Sequence, residues 1–272
     1  MPLPRAEGDL VRDLHPVRRI VPFVMPRRNE AFVLFEQVVP IEPLRRRLAA
    51  VNAGRPPERE ATLFHLLLHA LGQLLTEFPR LNRFVAGNRI YQRRGVWLSF
   101  SAKKALERDA PLFTAKISVD PTETLPAMVD RILALVAHER TARETAAERE
   151  VKGFLRLPAS VLRLGTHAMR WLDAHNLVPA RFIAADPLYA SAFVANLGSV
   201  GLDAAYHHLY EYGTVPIFVV MGRVRHIPVV RDDGSVGAAE VLPLRYTYDE
   251  RIEDGFYAAR ALERLEALLA AA

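Results

Sequence analysis

The strongest constraint on the fold sits at the end of the chain. Residues 242–248 have strand composition, residues 248–255 read Tyr-Asp-Glu-Arg-Ile-Glu-Asp-Gly, and residues 255–269 form an amphipathic run that closes the chain as a helix. A strand, a charged turn and a helix in that order call for a domain that mixes both element types. The rest of the chain agrees. Strands are expected over 32–40, 96–101, 112–118, 192–198 and 216–221. Residues 84–85 and 89–91 flank Gly87-Asn88, a hairpin turn, and residues 229–236 form a second hairpin. Ile41-Glu42-Pro43-Leu44 opens a helix through Val51, with proline in the first turn where its missing N–H costs nothing. Residues 52–60 read as a loop. Residues 61–78 are apolar on most faces and predict a buried helix that Thr62 can cap. Residues 124–150 predict another helix, with apolar Leu125, Met128, Val129 and Ile132 in its first half and a charged, exposed second half over 139–150. Strands and helices do not alternate as a βαβαβ series, so the class is mixed α/β. Residues 1–30, rich in Pro and Arg, read as an irregular arm before one domain over 31–272.

With 272 residues, half of them hydrophobic, the chain can bury one substantial core. No stretch reaches the ~18 to 20 consecutive apolar residues of a membrane span, and no apolar segment follows the N-terminus as in a signal peptide. The absence of cysteine excludes disulfides, thiolate metal sites and cysteine nucleophiles, and is compatible with the cytoplasm. The net charge of +5 is dispersed in short clusters, Arg18-Arg19, Arg27-Arg28, Arg45-Arg46-Arg47 and Arg93-Arg94. No nucleic-acid motif accompanies it. The 45–47 cluster reads as a solvated helix face, and a modest positive field suits an anionic small molecule. Neither a nucleic acid nor a membrane is expected as a partner.

Four segments follow one another in a recognisable order. Thr62-Leu63-Phe64-His65-Leu66-Leu67-Leu68-His69-Ala70-Leu71 leads to Phe78-Pro79-Arg80-Leu81-Asn82. Then come Ala195-Asn196-Leu197-Gly198-Ser199-Val200-Gly201, the hairpin before Leu242-Pro243-Leu244, and the motif at 248–255. Together they resemble the catalytic core (E2) of the 2-oxoacid dehydrogenase complexes, within the chloramphenicol acetyltransferase-like superfamily. The resemblance spans about 32–269 and is weakest over 100–190. It implies an α/β fold of chloramphenicol acetyltransferase-like type, a mixed-sheet sandwich with flanking helices. It further implies acyl transfer from CoA thioesters, homotrimers, and, for E2 cores, trimers assembled into hollow particles. No Asp-Lys-Ala lipoylation site occurs and no Ala/Pro linker precedes the core, so a dihydrolipoyl substrate is expected to come on another chain.

In that family the His of a His-x-x-x-Asp-Gly motif is the general base, and a Ser or Thr hydroxyl before Asn-Leu-Gly stabilises the oxyanion. Here Glu250 and Ala195 occupy those positions. A free Glu, with a pKa of about 4.3, is a poor base for a thiol near 8.5 unless burial raises it, and losing an oxyanion donor costs ~10² to 10³ in rate. The resemblance gives Asp254 an ion pair with arginine, for which Arg18 and Arg19 are the candidates. It places Asn196, Gly198, Ser199 and Gly255 at the CoA or acyl-CoA site. His207 and His208, among Tyr206, Tyr210 and Tyr212, are either a relocated base or hydrogen-bonded histidines in a connecting helix. Ser191 and Ser199 are the nearby hydroxyls. His65 and His69, spaced i,i+4, share a helix face, but apolar neighbours and the lack of a third ligand make them core residues, and no metal is expected. Asp232-Asp233-Gly234 lacks calcium-loop spacing. The helical region 151–185, apolar at Phe154, Leu155, Leu157, Val161, Leu162, Leu164, Met169, Trp171 and Leu172, is either core or a contact surface. Two functions follow: an acyltransferase with an altered acid/base apparatus, or a catalytically silent relative whose role is assembly.

Overall fold

A computed structural model describes residues 3–103, 112–141, 153, 155–231 and 233–271. The expected residues 142–150, Phe154 and Asp232 lie outside the described residues. The strands are β1 Gly8–Leu10, β2 Phe32–Pro40, β3 Arg83–Ala86, β4 Arg89–Arg93, β5 Val96–Lys103, β6 Leu112–Val119, β7 Ala192–Asn196, β8 Ile217–Met221, β9 Arg225–Val230 and β10 Val236–Asp249. The helices are α1 Pro16–Val24, α2 Ile41–Asn52, α3 Leu63–Glu77, α4 Leu125–Thr141, α5 Ala159–Ala174, α6 Ala180–Ala185 and α7 Gly255–Ala270. The main sheet runs β2-β10-β8-β7-β5-β6, with β9 also paired to β10, and a small sheet runs β1-β4-β3. The pairs β5·β7 and β7·β8 are parallel and the others antiparallel. This is the mixed sheet that the sequence implies.

Side chains alternate across a sheet, and here both faces are used. Ala192 and Val194 of β7 with Ile217, Val219 and Met221 of β8 join the core formed by α2, α3, α4 and α7. Phe193 of β7 and Phe218 and Val220 of β8 point the other way, into a smaller cluster with Leu209 and Val215. α3 is buried along most of its length, as its composition demands. Thr62 caps it: Thr62 Oγ1 accepts from His65 N at 3.4 Å, and the Thr62 N–H donates to His65 Nδ1 at 3.2 Å. His69 lies 3.0 Å by Nε2 from the Glu123 carbonyl. Both histidines are core residues, and the described residues hold no cluster of three metal-ligating side chains. No described helix is long and apolar enough to cross a membrane.

The N-terminal segment departs from the expected irregular arm. β1 pairs with β4 and α1 forms a helix. Its order comes from charge: Arg5 Nη2 binds Glu7 Oε1 and Asp173 Oδ1, both at 2.8 Å, and Arg93 Nη1 binds Glu7 Oε2 at 2.6 Å. Local pattern does not reveal ion pairs spanning 168 residues. The 45–47 cluster is not wholly solvated either, because Arg47 donates to the carbonyl of Leu268 in the last turn of α7. The core alternative holds for one side of α5. Met169 and Leu172 pack on Val178, Ile183 and Tyr189, while Val161, Leu164 and Trp171 face outward.

Gly87 and Asn88 both have positive φ, 52° and 57°, as the two-residue hairpin requires. A Cβ on Gly87 would lie 2.1 Å from the Ala174 carbonyl oxygen, whereas one on Gly54, at φ 76°, meets nothing within 4 Å. Gly54→Ala is therefore expected to cost only left-handed strain, about 1–2 kcal/mol. Gly87→Ala is expected to cost distinctly more, because it also displaces the end of α5; urea midpoints compare the two. Burial lowers the pKa of His65 to about 4, so the unfolded chain takes up the proton first as pH falls. The contribution is intact above pH 6.5 and is lost between 6.5 and about 4, to the extent of about 3 kcal/mol. In denaturation at several pH values, His65→Gln should flatten that slope.

Candidate functional site

β10 ends in a buried ionic knot. Asp249, with no exposed surface, receives Arg251 Nε on Oδ1 and Arg251 Nη2 on Oδ2, each at 2.8 Å. Arg28 Nε lies 4.0 Å from the same carboxylate. The remaining guanidinium donors meet backbone carbonyls. Arg251 Nη1 reaches Met25 and Pro26 at 3.0 and 3.1 Å, and Arg28 reaches Tyr210 and Gly213, both at 2.6 Å. Burial pulls the Arg28 pKa below its usual range, with Asp249 opposing that shift. A cleft of about 610 Å³ opens beside this knot, lined among others by Arg28, Asn88, Met169, Tyr189, Tyr212 and Arg251.

The turn after Asp249 is clamped through its backbone. The Glu250 N–H donates to Ala31 O at 2.9 Å, and the Glu250 carbonyl accepts from Arg18 Nη1 at 2.8 Å. The Glu250 side chain is half-buried, has no partner among the described residues and does not line the cleft. Arg18, rather than Arg19, faces Asp254, with Nη2 at 3.6 Å from Oδ2. Asp254 Oδ1 also caps α7 by accepting from Tyr257 N at 2.9 Å. Gly255 starts that helix, with open space where a side chain would be. Buried Glu253 collects Arg83 at 3.2 Å, Arg80 at 3.6 Å and Arg18 at 3.8 Å.

The Asn-Leu-Gly segment forms a separate site. Asn196 Oδ1 accepts from Ser199 N at 3.0 Å, and the Ser199 hydroxyl donates to the Asn196 carbonyl at 2.8 Å. Gly198 lets the turn approach β8, since a Cβ there would lie 2.5 Å from the Gly222 carbonyl. Ala195 lies beside the second cluster, opposite Val220. Ser191 is engaged by Trp97 N at 2.9 Å. The expected connecting helix around His207 and His208 does not form. Residues 202–210 are irregular, with His207 stacked on Phe218. Aromatic stacking, rather than helical periodicity, holds that segment.

Strand register separates the two groups of candidate residues. Asn196 pairs with Met221 and Met221 with Leu244, while Glu250 follows the end of β10 beyond the pair Tyr248·Ile217. Six residues of strand are roughly 20 Å. The Ala195–Ser199 group and the Glu250–Gly255 group thus lie at opposite ends of one sheet, and a single chain does not bring them together. The sequence reading missed the Asp249–Arg251–Arg28 knot. Asp249 and Arg251 stand inside the quoted motif, but Arg28 comes from the arm, and only the fold joins them.

Replacing Asp249 with Asn would leave two buried guanidinium groups without their anion. The expected cost is about 3–5 kcal/mol, read as a lower urea midpoint with an unchanged slope.

Comparison with known proteins agrees with this architecture. Residues 185–272 match the family model of the 2-oxoacid dehydrogenases acyltransferase (catalytic domain). The chain is 23% identical over 208 residues to the lipoamide acyltransferase component of the branched-chain alpha-keto acid dehydrogenase complex of Bacillus subtilis. That match covers 76% of this chain and 39% of the relative, so the chain spans about two fifths of its length. A probable dihydrolipoamide acetyltransferase from Listeria monocytogenes superposes with a TM-score of 0.61 at 18% identity, covering 96% of this chain and 94% of that one. The cubic core of a pyruvate dehydrogenase multienzyme complex gives 0.61 at 19%, covering 96% and 92%. The C-terminal third thus carries the acyltransferase catalytic-domain pattern of the 2-oxoacid dehydrogenases, and the chain as a whole has the chloramphenicol acetyltransferase-like fold of E2 catalytic cores.

Proposed function

We propose that this protein binds CoA or an acyl-CoA thioester at a site completed by a second copy of the chain, in a threefold assembly. The separation of the Ala195–Ser199 turn from the Glu250–Gly255 turn carries this reading. Acyl transfer needs a proton acceptor and an oxyanion donor around one carbonyl carbon. Two groups at opposite ends of a sheet meet that need only when one comes from each of two chains. The surface around Glu250 suits such contact. α1 turns Val17, Ile20, Phe23 and Val24 outward, and Phe32 and Phe256 are exposed beside the same turn. Isolated exposed apolar side chains are ordinary, but a contiguous group marks an interaction surface. One structure that this chain resembles is itself the cubic core of a multienzyme complex, in keeping with assembly into a larger hollow particle.

A second reading, assembly without turnover, draws on Ala195 and on the structural employment of Asp254. Asp254 is occupied by a helix cap and an arginine, and Ala195 supplies no hydroxyl.

Mass measurement in solution is expected to give a multiple of three 30.5 kDa chains. A monomer would count against both readings. Ile20→Asp with Phe23→Asp is expected to lower that mass. Acetyl-CoA at a hundred times its Kd should stabilise the native state by about 2.7 kcal/mol; no change in melting temperature would remove the ligand from the reading. Thiol release from acetyl-CoA with dihydrolipoamide separates the enzyme from the scaffold.

A further inference from the structure

We propose that the outward side of α5, with residues 155–158 before it, docks on an anionic lipid surface. The inference is independent of the acyl-thioester reading and of the cleft. A helix that packs on one side of a domain needs one apolar face, and α5 carries two. Leu162, Met169 and Leu172 are half-buried, the last two against Val178, Ile183 and Tyr189. Val161, Leu164, Ala168 and Trp171 are exposed, and their i, i+3, i+7, i+10 spacing gathers them in a second stripe along the helix. Leu155 and Leu157, also exposed, precede the helix; Leu155 is 67% and Leu164 71% exposed. Trp171, stacked on His175 at 4.3 Å, stays at the surface. Scattered apolar side chains are ordinary, whereas a grouped set of this kind marks an interaction site.

The charge on this surface has one sign. Residues 155–172 contain no Asp or Glu. Arg163, His167 and Arg170, spaced i, i+4, i+7, follow one flank of the apolar stripe, and Arg156 precedes them. Among the described residues none of these arginines has a carboxylate partner. By contrast, exposed Arg94 binds Asp9 at 2.5 Å and exposed Arg264 binds Glu77 at 2.6 Å. Asp173, the one acidic residue of α5, turns inward and is taken by Arg5 at 2.8 Å. The dispersed charge of the whole chain hides this local asymmetry, which arises where the fold turns Asp173 away from the surface.

Exposed Trp and Leu beside arginine, without carboxylates, suit the interface of an anionic bilayer. The arginines reach phosphate and carboxylate headgroups while the apolar stripe enters the acyl boundary. Peripheral attachment of this kind requires no spanning segment, so the lack of one among the described helices does not oppose it. A second copy fits less well. Antiparallel pairing of α5 about a twofold axis sets the arginine flank against the same flank of its partner, and like charges in contact are unfavourable. Nor does the stripe line the cleft, the concave site that a small molecule would enter. A projecting face needs a deformable partner, and a lipid surface is one.

The test uses the full chain and extruded vesicles of phosphatidylcholine, either alone or with about a third phosphatidylserine. Co-sedimentation and tryptophan emission are followed. The protein is expected to bind the anionic vesicles with a blue shift, to leave pure phosphatidylcholine largely unbound, and to dissociate as salt is raised. Trp171→Phe should remove the blue shift, since half-buried Trp97 is then the remaining tryptophan. Replacing Arg163 and Arg170 together by Gln is expected to lower the partition coefficient about 25-fold, roughly fivefold per charge. Leu164→Ser is expected to lower it about tenfold. All these positions are exposed, so melting temperatures should not change. The proposal is overturned if the wild type ignores anionic vesicles at low salt, or binds both kinds equally. A double arginine variant within about twofold of wild type rejects it as well, because contact then lies elsewhere. Poly-L-glutamate bound as tightly as the vesicles, with Leu164→Ser unaffected, reduces the face to a cationic patch and also sinks it. If Leu164→Asp lowers the particle mass of vesicle-free protein, a second copy covers α5 and a lipid surface does not. None of these outcomes involves acetyl-CoA, so failure here leaves the acyl-thioester reading untouched.

Discussion

One carboxylate organises both ends of the candidate machinery. Asp249 terminates β10 and is shared by Arg251 and Arg28. Through Arg28 the knot holds the Tyr210 and Gly213 carbonyls, which set the far end of the segment carrying His207. Through Arg251 it holds the Met25 and Pro26 carbonyls, which fix the exit of α1 and hence Arg18 against the Glu250 turn. Buried ion pairs add little net stability against an apolar replacement, yet removing one partner strands a charge. Their effect here is to dictate one arrangement of three chain segments far apart in sequence.

Arginine suits this role in a way that lysine does not. Its planar fork binds a carboxylate with two parallel hydrogen bonds and has donors left for carbonyls. A second cluster repeats the device. Arg93 spans Glu7 and the carbonyl and hydroxyl of Thr214, while Arg5 spans Glu7, Asp173 and Asn176. Arg5 and Arg93 also lie over the Phe84 ring, at 5.1 and 4.4 Å. Much of the basic composition is thus consumed inside the molecule, where the C-terminal end of α5 and the irregular backbone around 210–214 need donors. An excess of arginine in a sequence is therefore weak evidence for a polyanionic partner until the internal acceptors have been counted.

What could be read from the sequence, and what could not, follows from the range of the interactions. The burial of α3, the Gly87-Asn88 turn, and the passage from β10 through the charged turn to α7 rest on periodicity and turn chemistry within a few residues. They are visible in the sequence for that reason. The N-terminal segment was opaque: β1 is three residues long, α1 contains Pro22, and their order depends on ion pairs to residues 93 and 173. The His207 segment misled in another way. Tyrosines and histidines between 206 and 212 can support a helix or a stack, and only Phe218, on a neighbouring strand, decides between them. The motif residues of the candidate site were legible as a set, while their separation was not, because it depends on the register of β7, β8 and β10.

The same knot bears on how the cleft relates to the exposed face of α1. α5 closes one side of the cleft, and its last turn is fixed twice, by Arg5 on Asp173 and by the close approach of Gly87 to the Ala174 carbonyl. Its first turns carry no buried residue, and Val161 and Leu164 stand clear of the protein. The cleft wall is thus rigid where it meets the arm and unsupported at its other end. α1 shows the opposite distribution of roles: Arg18 fixes it to the Glu250 turn while its apolar residues face outward. A second copy covering α1 would bury apolar surface and enclose the Glu250 turn without disturbing the cleft wall. Among the described residues, the cleft wall is held through Arg5 beside Glu7 and the exit of α1 through Arg251 beside Asp249, so separate sets of side chains fix the two surfaces.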